Sequence, residues 1–321
     1  MQDLAKLKTN TEWRAVRIEV ERLLLSALGD SSRDRAELQV KILDETSYPG
    51  YTRRRISYFV DEWERVLAWL FVPEGRDEVP GILCCHRMIP RGKDECAGID
   101  AGPMLAFAKH YAELGYVTLA PDCITSGERI PHGLKAYDTR SFYKDYPKMS
   151  AMGKMLLDHA HALDALCETK RVDSARIGVV GHGLGACNAL LLAAFDERVQ
   201  ACVAYNGFTR FADDKEPGRW ASDDGPVLWP QLGDAIKKRA FAFDWEHILA
   251  LCAPSPTLVL TALNDPDLSN TKSCEKAGKL AKGVYKLLGA ADALEQVSHN
   301  DGAEMTPDLV LRADDWFERW L

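Results

Sequence analysis

Apolar positions recur at helical spacing through "TEWRAVRIEVERLLLSALG", residues 11–29, and the run closes on Gly29, a residue suited to a helix C-cap. The pattern then fades, and the chain to about residue 50 reads as loop. From there strand and helix patterns alternate. "RISYFVDE" and "RVLAWLFVPE" make a hairpin-like pair, "VPGILCCH" a buried strand, "GPMLAFAKHYAELG" a helix and "YVTLAPD" the next strand. "MGKMLLDHAHALDALCET" is a helix feeding the strand "RIGVVGH"; Gly183 to Phe195 form another helix, and "VQACVAYNG" another strand. Over 208–252 the alternation breaks into a Trp-bearing stretch rich in turn residues. It resumes with "PTLVLTALND", the helix "KSCEKAGKLAKGVYKLLGA", the strand "ALEQVSH" and the closing helix "LVLRADDWFERWL". The order predicts an α/β fold: a mostly parallel sheet of about eight strands, covered by helices on both faces. An N-terminal helical extension is expected over 1–50, and one domain over 51–321 with a lid-like insertion at about 208–252.

Composition narrows the partners. A net charge of -8 speaks against nucleic acid and anionic membrane, both of which select basic surfaces. No apolar run reaches the ~18 residues of a membrane span, and "RLLLSAL" is too short and too charged at its flanks for a signal peptide. The 9 cysteines are odd in number and sit mostly inside apolar stretches such as "GILCCH" and "VQACVAY". Without a CxxC or paired Cys/His spacing, they read as small core residues of a cytoplasmic protein, with no disulfide framework, metal or cofactor.

The chemistry concentrates in "RIGVVGHGLGACNALLLAAFD", residues 176–196. Spaced as Gly181-x-Gly183-x-x-Ala186, its turn is a dinucleotide fingerprint. That reading asks for the first strand of a βαβ unit and for an acidic residue at the tip of the following strand. This turn follows roughly the sixth strand, and the next strand ends in Tyr205-Asn206-Gly207. Spaced as Gly181-x-x-x-Gly185, the turn is a nucleophile elbow, whose tightness requires small flanks, with glycine at the apex where serine belongs. The elbow reading also finds an upstream loop, "HRMIPRGKDECAG", to supply an oxyanion N–H. An acid follows at a strand end in "LVLTALNDPD", and the last strand leads into "SHNDGAEMTP".

The segments "HRMIPRGKDE", "FAKHYAELGYVTLAPD", "SAMGKMLLDH", "RIGVVGHGLGACNALLLAAFDERV" and "DDWFERWL" together resemble the dienelactone hydrolase and acetyl xylan esterase-like branch of the α/β-hydrolases. The resemblance runs from about Arg53 to Leu321. It implies the serine position at Gly183, the acid at Asp265 or else Asp267, and the histidine at Ala303, with Glu304 one residue on. His299 lies about a turn too early. His86 and His182 correspond to histidines that are structural in the family.

Glycine adopts the positive φ of an elbow apex without strain, so Gly183 preserves the turn while removing the acylable hydroxyl. What remains is a polar frame made by the N–H groups of Leu184 and Arg87, which can polarise a carbonyl. His86, Trp220 and Trp229 are candidate binding residues around it, and Asp265, Glu304 or His299 is the candidate base. These observations predict a non-hydrolytic enzyme of epimerase, lyase or cyclase type, acting in biosynthesis on a carbonyl-bearing small molecule or peptide. Two alternatives stand beside it. One is a ligand-binding pseudo-hydrolase; the other is an esterase with a displaced nucleophile, for which Cys84, Cys85, Cys123 and Cys187 are candidates.

Overall fold

The computed structural model describes residues 3–29, 37–221, 226–265 and 271–321. A nine-stranded sheet runs through it in the order β1-β2-β3-β5-β4-β6-β7-β8-β9. The first three strands, β1 (Lys41–Tyr48), β2 (Tyr51–Phe59) and β3 (Arg65–Pro73), form an antiparallel meander, and β3 runs antiparallel to β5 (Val117–Pro121). β4 (Val79–Cys85) lies parallel between β5 and β6 (Val172–His182). From there β7 (Val199–Tyr205), β8 (Thr257–Ala262) and β9 (Leu294–His299) continue in parallel. Every residue of β5 and β8 is buried, as expected of parallel strands covered on both faces.

Helices supply that cover. On one face pack α1 (Asn10–Leu28), α3 (Ala151–Cys167), α4 (Leu184–Phe195), α5 (Trp245–Leu251) and α6 (Thr271–Leu287); on the other lie α2 (Phe107–Glu113) and α7 (Pro307–Trp320). Local chemistry sets the ends. Thr9 and Glu12 close a capping box on α1, and Gly29 ends it with φ 97°. Ser150 caps α3 by accepting from the Gly153 N–H. α4 is apolar on every side because it is sandwiched between the sheet and the helices beside it.

The sequence pattern missed one strand. Lys41–Tyr48 falls where the pattern faded toward loop, yet it pairs with β2 along its length. Its residues are almost all exposed, as at an uncovered sheet edge, so no buried face imposes an alternation that the sequence could display. Within 208–252 the chain forms short helical turns and α5 around stacked aromatics, Phe211, Trp220, Trp229 and Trp245 among them.

Candidate active site

At the carboxyl end of β6 the chain turns into α4 through Gly183, with φ 57° and ψ -119°. Two neighbouring glycines make the turn possible. A Cβ on Gly181 would sit 2.1 Å from the Gly185 carbonyl oxygen, and one on Gly185 would sit 2.1 Å from that of Cys85. Neither position admits a side chain, whereas a Cβ on Gly183 would meet only the Arg87 Cβ, at 3.5 Å. The apex therefore has room for a side chain that the sequence does not supply. The geometry is that of a strand–elbow–helix, and the cofactor-loop reading has no further support.

Gly183 opens onto a cavity of about 720 Å³ shared by Arg87, Leu184, Trp220, Asp265 and Ala303. The sequence candidates that the structure brings together are these. The Gly183 N–H is used by the Tyr205 carbonyl at 2.8 Å, and the Gly183 carbonyl takes the N–H groups of Ala186 and Cys187. The Leu184 N–H, at the positive end of α4, has no acceptor among the described residues. Arg87 is steadied by a 2.7 Å bond from its Nε to the buried Glu95 carboxylate. Burial pushes the Glu95 carboxyl above its ordinary value, against the pull of Arg87.

The loop carrying Ala303 is tied down from several sides. Tyr205 donates its hydroxyl to the Glu304 carbonyl, Asn264 accepts from the Gly302 N–H at 2.8 Å, and Asn206 reaches the Gly302 carbonyl at 3.4 Å. His182 lines the same cavity as Ala303. Its imidazole is pushed down to about 3 by burial and by Arg87, so it stays neutral. Asn206 also accepts the Ala262 N–H at 2.6 Å, linking the ends of β7 and β8 beneath Asp265, itself buried.

Four candidates fall away from the cavity. His86 is fully engaged: its Nδ1 donates to the Arg87 carbonyl at 2.7 Å and its Nε2 accepts from the Cys123 N–H at 3.0 Å. His299 stacks on Tyr205 with centroids 5.6 Å apart and faces Asp301. The Glu304 side chain is exposed and stays outside the cavity lining. Trp229 is buried, donating to the Ala27 carbonyl at 2.7 Å, and only Trp220 reaches the cavity. Asp267 lies outside the described residues.

Of the candidate thiols, Cys84, Cys85 and Cys123 are buried and do not line the cavity. Cys187 does, but its Sγ is committed to the Gly207 carbonyl at 2.7 Å, and burial pushes the thiol far up. A thiol held that way is a poor nucleophile. Sequence reasoning missed Met88, Ile89, Glu216 and Arg219, which line the cavity from the 87–89 loop and the insertion. Only the general placement of those loops at the strand ends signals them. Among the described residues, no cluster of His, Cys, Asp and Glu could hold a metal ion, and no helix is long and apolar enough to cross a membrane.

Comparison with known proteins agrees with this geometry. The profile of the dienelactone hydrolase family matches residues 67–224. YtaP of Bacillus subtilis, described as a hydrolase, is 25% identical over 313 residues, covering 95% of this chain and 100% of its own. A glucuronoyl esterase from Solibacter usitatus superposes with TM-score 0.77 at 16% identity, covering 97% of this chain and 93% of its own. The acetyl xylan esterase from Paenibacillus sp. R4 does so with TM-score 0.62 at 18% identity, covering 98% and 96%. The expectation of a non-hydrolytic epimerase, lyase or cyclase is thereby overturned: the matching family and the full-length relative are hydrolases. That expectation took glycine and alanine at the serine and histidine positions as a change of reaction class, when those residues specify only which groups attack and carry the proton. The chain has the α/β-hydrolase fold, and its residues 67–224 match the dienelactone hydrolase family.

Proposed function

We propose that the protein is an esterase that hydrolyses a carboxylic ester with water, and not a displaced side chain, as the nucleophile. One observation carries the reading. Gly183 and Ala303 stand where the family resemblance puts serine and histidine, and because both are small, buried Asp265 opens onto the same cavity as the elbow. Water in that space bridges the carboxylate and a substrate carbonyl held against the Leu184 and Arg87 N–H groups.

The reaction balances with these groups alone. The water oxygen attacks the carbonyl carbon while its proton passes to the Asp265 carboxylate. The oxyanion is held by the two N–H groups, aided by the positive end of α4. Collapse breaks the bond to the alkoxy oxygen, which takes the proton back from Asp265 and leaves as the alcohol. The named substrates of the structural neighbours, acetylated xylan and glucuronoyl esters, make sugar-borne esters the first class to assay.

Aryl acetate and acetylated xylan turnover test the proposal together with a fluorophosphonate probe. The expected result is turnover above background, no acyl-enzyme burst and no labelled serine. Labelling of a serine, or turnover at background on both substrates, overturns it.

A further inference from the structure

Three segments from different parts of the chain meet at the elbow cavity: the apex at Gly183, the end of β8 that leads to Asp265, and the loop after β9 that carries Ala303. All three are bonded to the same two residues, Tyr205 and Asn206, where β7 ends. Tyr205 offers its carbonyl to the Gly183 N–H at 2.8 Å and donates its hydroxyl to the Glu304 carbonyl. Asn206 makes three bonds. Its N–H donates to the Leu260 carbonyl at 2.9 Å, its Oδ1 accepts the Ala262 N–H at 2.6 Å, and its Nδ2 reaches the Gly302 carbonyl at 3.4 Å.

Backbone geometry explains why an asparagine stands here. The last ladder pair of β7 and β8 is Tyr205 with Leu260. In a continuing parallel ladder the Ala262 N–H would take the next backbone carbonyl of β7. Asn206 instead turns into the left-handed region at φ 47°, which a short amide side chain tolerates better than most, and its side-chain oxygen replaces that carbonyl. The residue is only 6% exposed, which keeps water from displacing these bonds. The next residue, Gly207, presses so closely on α4 that a Cβ there would lie 2.7 Å from that of Ala186, so the helix behind the elbow backs the turn.

We infer that Asn206 is a positioning residue for the ester hydrolysis, its amide holding the end of β8, and with it Asp265, in register with the elbow and the Ala303 loop. The role rests on the esterase reading, in which Asp265 is the base. Ala262 stands three positions ahead of Asp265, so play at its N–H is passed along the chain to the carboxylate. A misplacement of about 1 Å in a reacting group can cost about a hundredfold in rate.

Asn206→Gly removes the amide while leaving a residue at home in a left-handed backbone, so the turn is retained. It is expected to lower kcat on an aryl acetate by about tenfold to a hundredfold, with KM moving by less than about twofold. Amide hydrogen exchange, read by mass spectrometry, should quicken in the peptide carrying Ala262 and over residues 300–304. Tyr205→Phe removes only the hydroxyl on Glu304; it should quicken 300–304 alone and cost less kcat than Asn206→Gly. Asn206→Asp keeps an acceptor for Ala262 but no donor for Gly302, so it should protect the first segment and not the second. A wild-type chain without turnover removes the esterase reading alone, since exchange still decides whether Asn206 holds the two segments. Unchanged exchange in Asn206→Gly, wild-type kcat despite faster exchange, or a rise in KM in place of the loss in kcat overturns the inference.

Discussion

Two cavities on the strand-end edge, the one at the elbow and a second of about 600 Å³ lined by Trp63, Thr125, Arg129 and Ser141, differ in how their polar groups are engaged. Around Gly183 the Leu184 N–H has no acceptor among the described residues, and Asp265 lines the same cavity. Around Arg129 the ions are matched to one another, with Lys154 bridging Glu64 at 3.0 Å and Asp158 at 2.5 Å. An unsatisfied but positioned polar group can be completed by a reacting atom, so it suits chemistry. A matched ion network resists change, so it suits a rigid wall.

The largest expected effect breaks the rigid wall. Arg129→Ala removes one of the two buried cations, with Lys154 the other, that face Glu64 and Asp158, and is expected to cost about 3–5 kcal/mol, read from the denaturant midpoint. A shift below about 1 kcal/mol would mean that the network is not a structural unit. Next comes the reactive cavity: Asp265→Asn should lower ester turnover by about a hundredfold or more while leaving the melting temperature nearly unchanged. Unaltered turnover would remove Asp265 from the mechanism.

Restoring a triad sharpens the contrast further. Gly183→Ser with Ala303→His should gain fluorophosphonate labelling at position 183, since a Cβ there meets nothing closer than 3.5 Å. Gly183→Ser alone should label more slowly, lacking the base. Equal labelling of the two variants would show that another base already serves the elbow.

The smallest effects are in pH dependence, and they carry opposite structural messages. Burial favours the neutral Glu64 carboxyl, but Arg129 and Lys154 prevail and hold it at about 2, below its ordinary 4.5. Its contribution is therefore fully present above about pH 4.5 and lost as pH falls through about 2. His182, held at about 3 against an ordinary 6.5, binds its proton more readily unfolded than folded. Stability should fall as pH drops from about 6.5 toward 3, and His182→Asn should flatten that slope in a pH series of thermal melts. An unchanged slope would place the acid sensitivity elsewhere.

The elbow was legible in sequence because its cause is local. Gly181 and Gly185 have carbonyls where side chains would be, and only glycine satisfies that, whatever else the chain does. Asp265 was legible for a related reason, since the strand order fixes which loop end faces the elbow. The edge strand Lys41–Tyr48 was not, because it buries neither face. Trp220 and Trp229 look alike in sequence, and their fates diverge only through the fold of the insertion: one meets the cavity, the other meets α1. His299 and Glu304 were placed near the base position by spacing, yet a single residue of register in a loop decides whether a side chain faces in or out. The second cavity was wholly illegible, because Trp63, Thr125 and Ser141 belong to separate segments that only the antiparallel return of β3 brings together.

The bond from Trp229 to the Ala27 carbonyl gives the first helix a role remote from its own position. Ser150 fastens to the neighbouring Leu28 carbonyl at 2.8 Å, so the end of α1 acts as a rivet between the insertion and the start of α3. The stretch that brings Trp220 to the elbow cavity is therefore fastened to α1 through Trp229, whose N–H bonds the Trp220 carbonyl. Cutting the chain ahead of Gly29 would remove that fastening without touching a residue that lines the cavity.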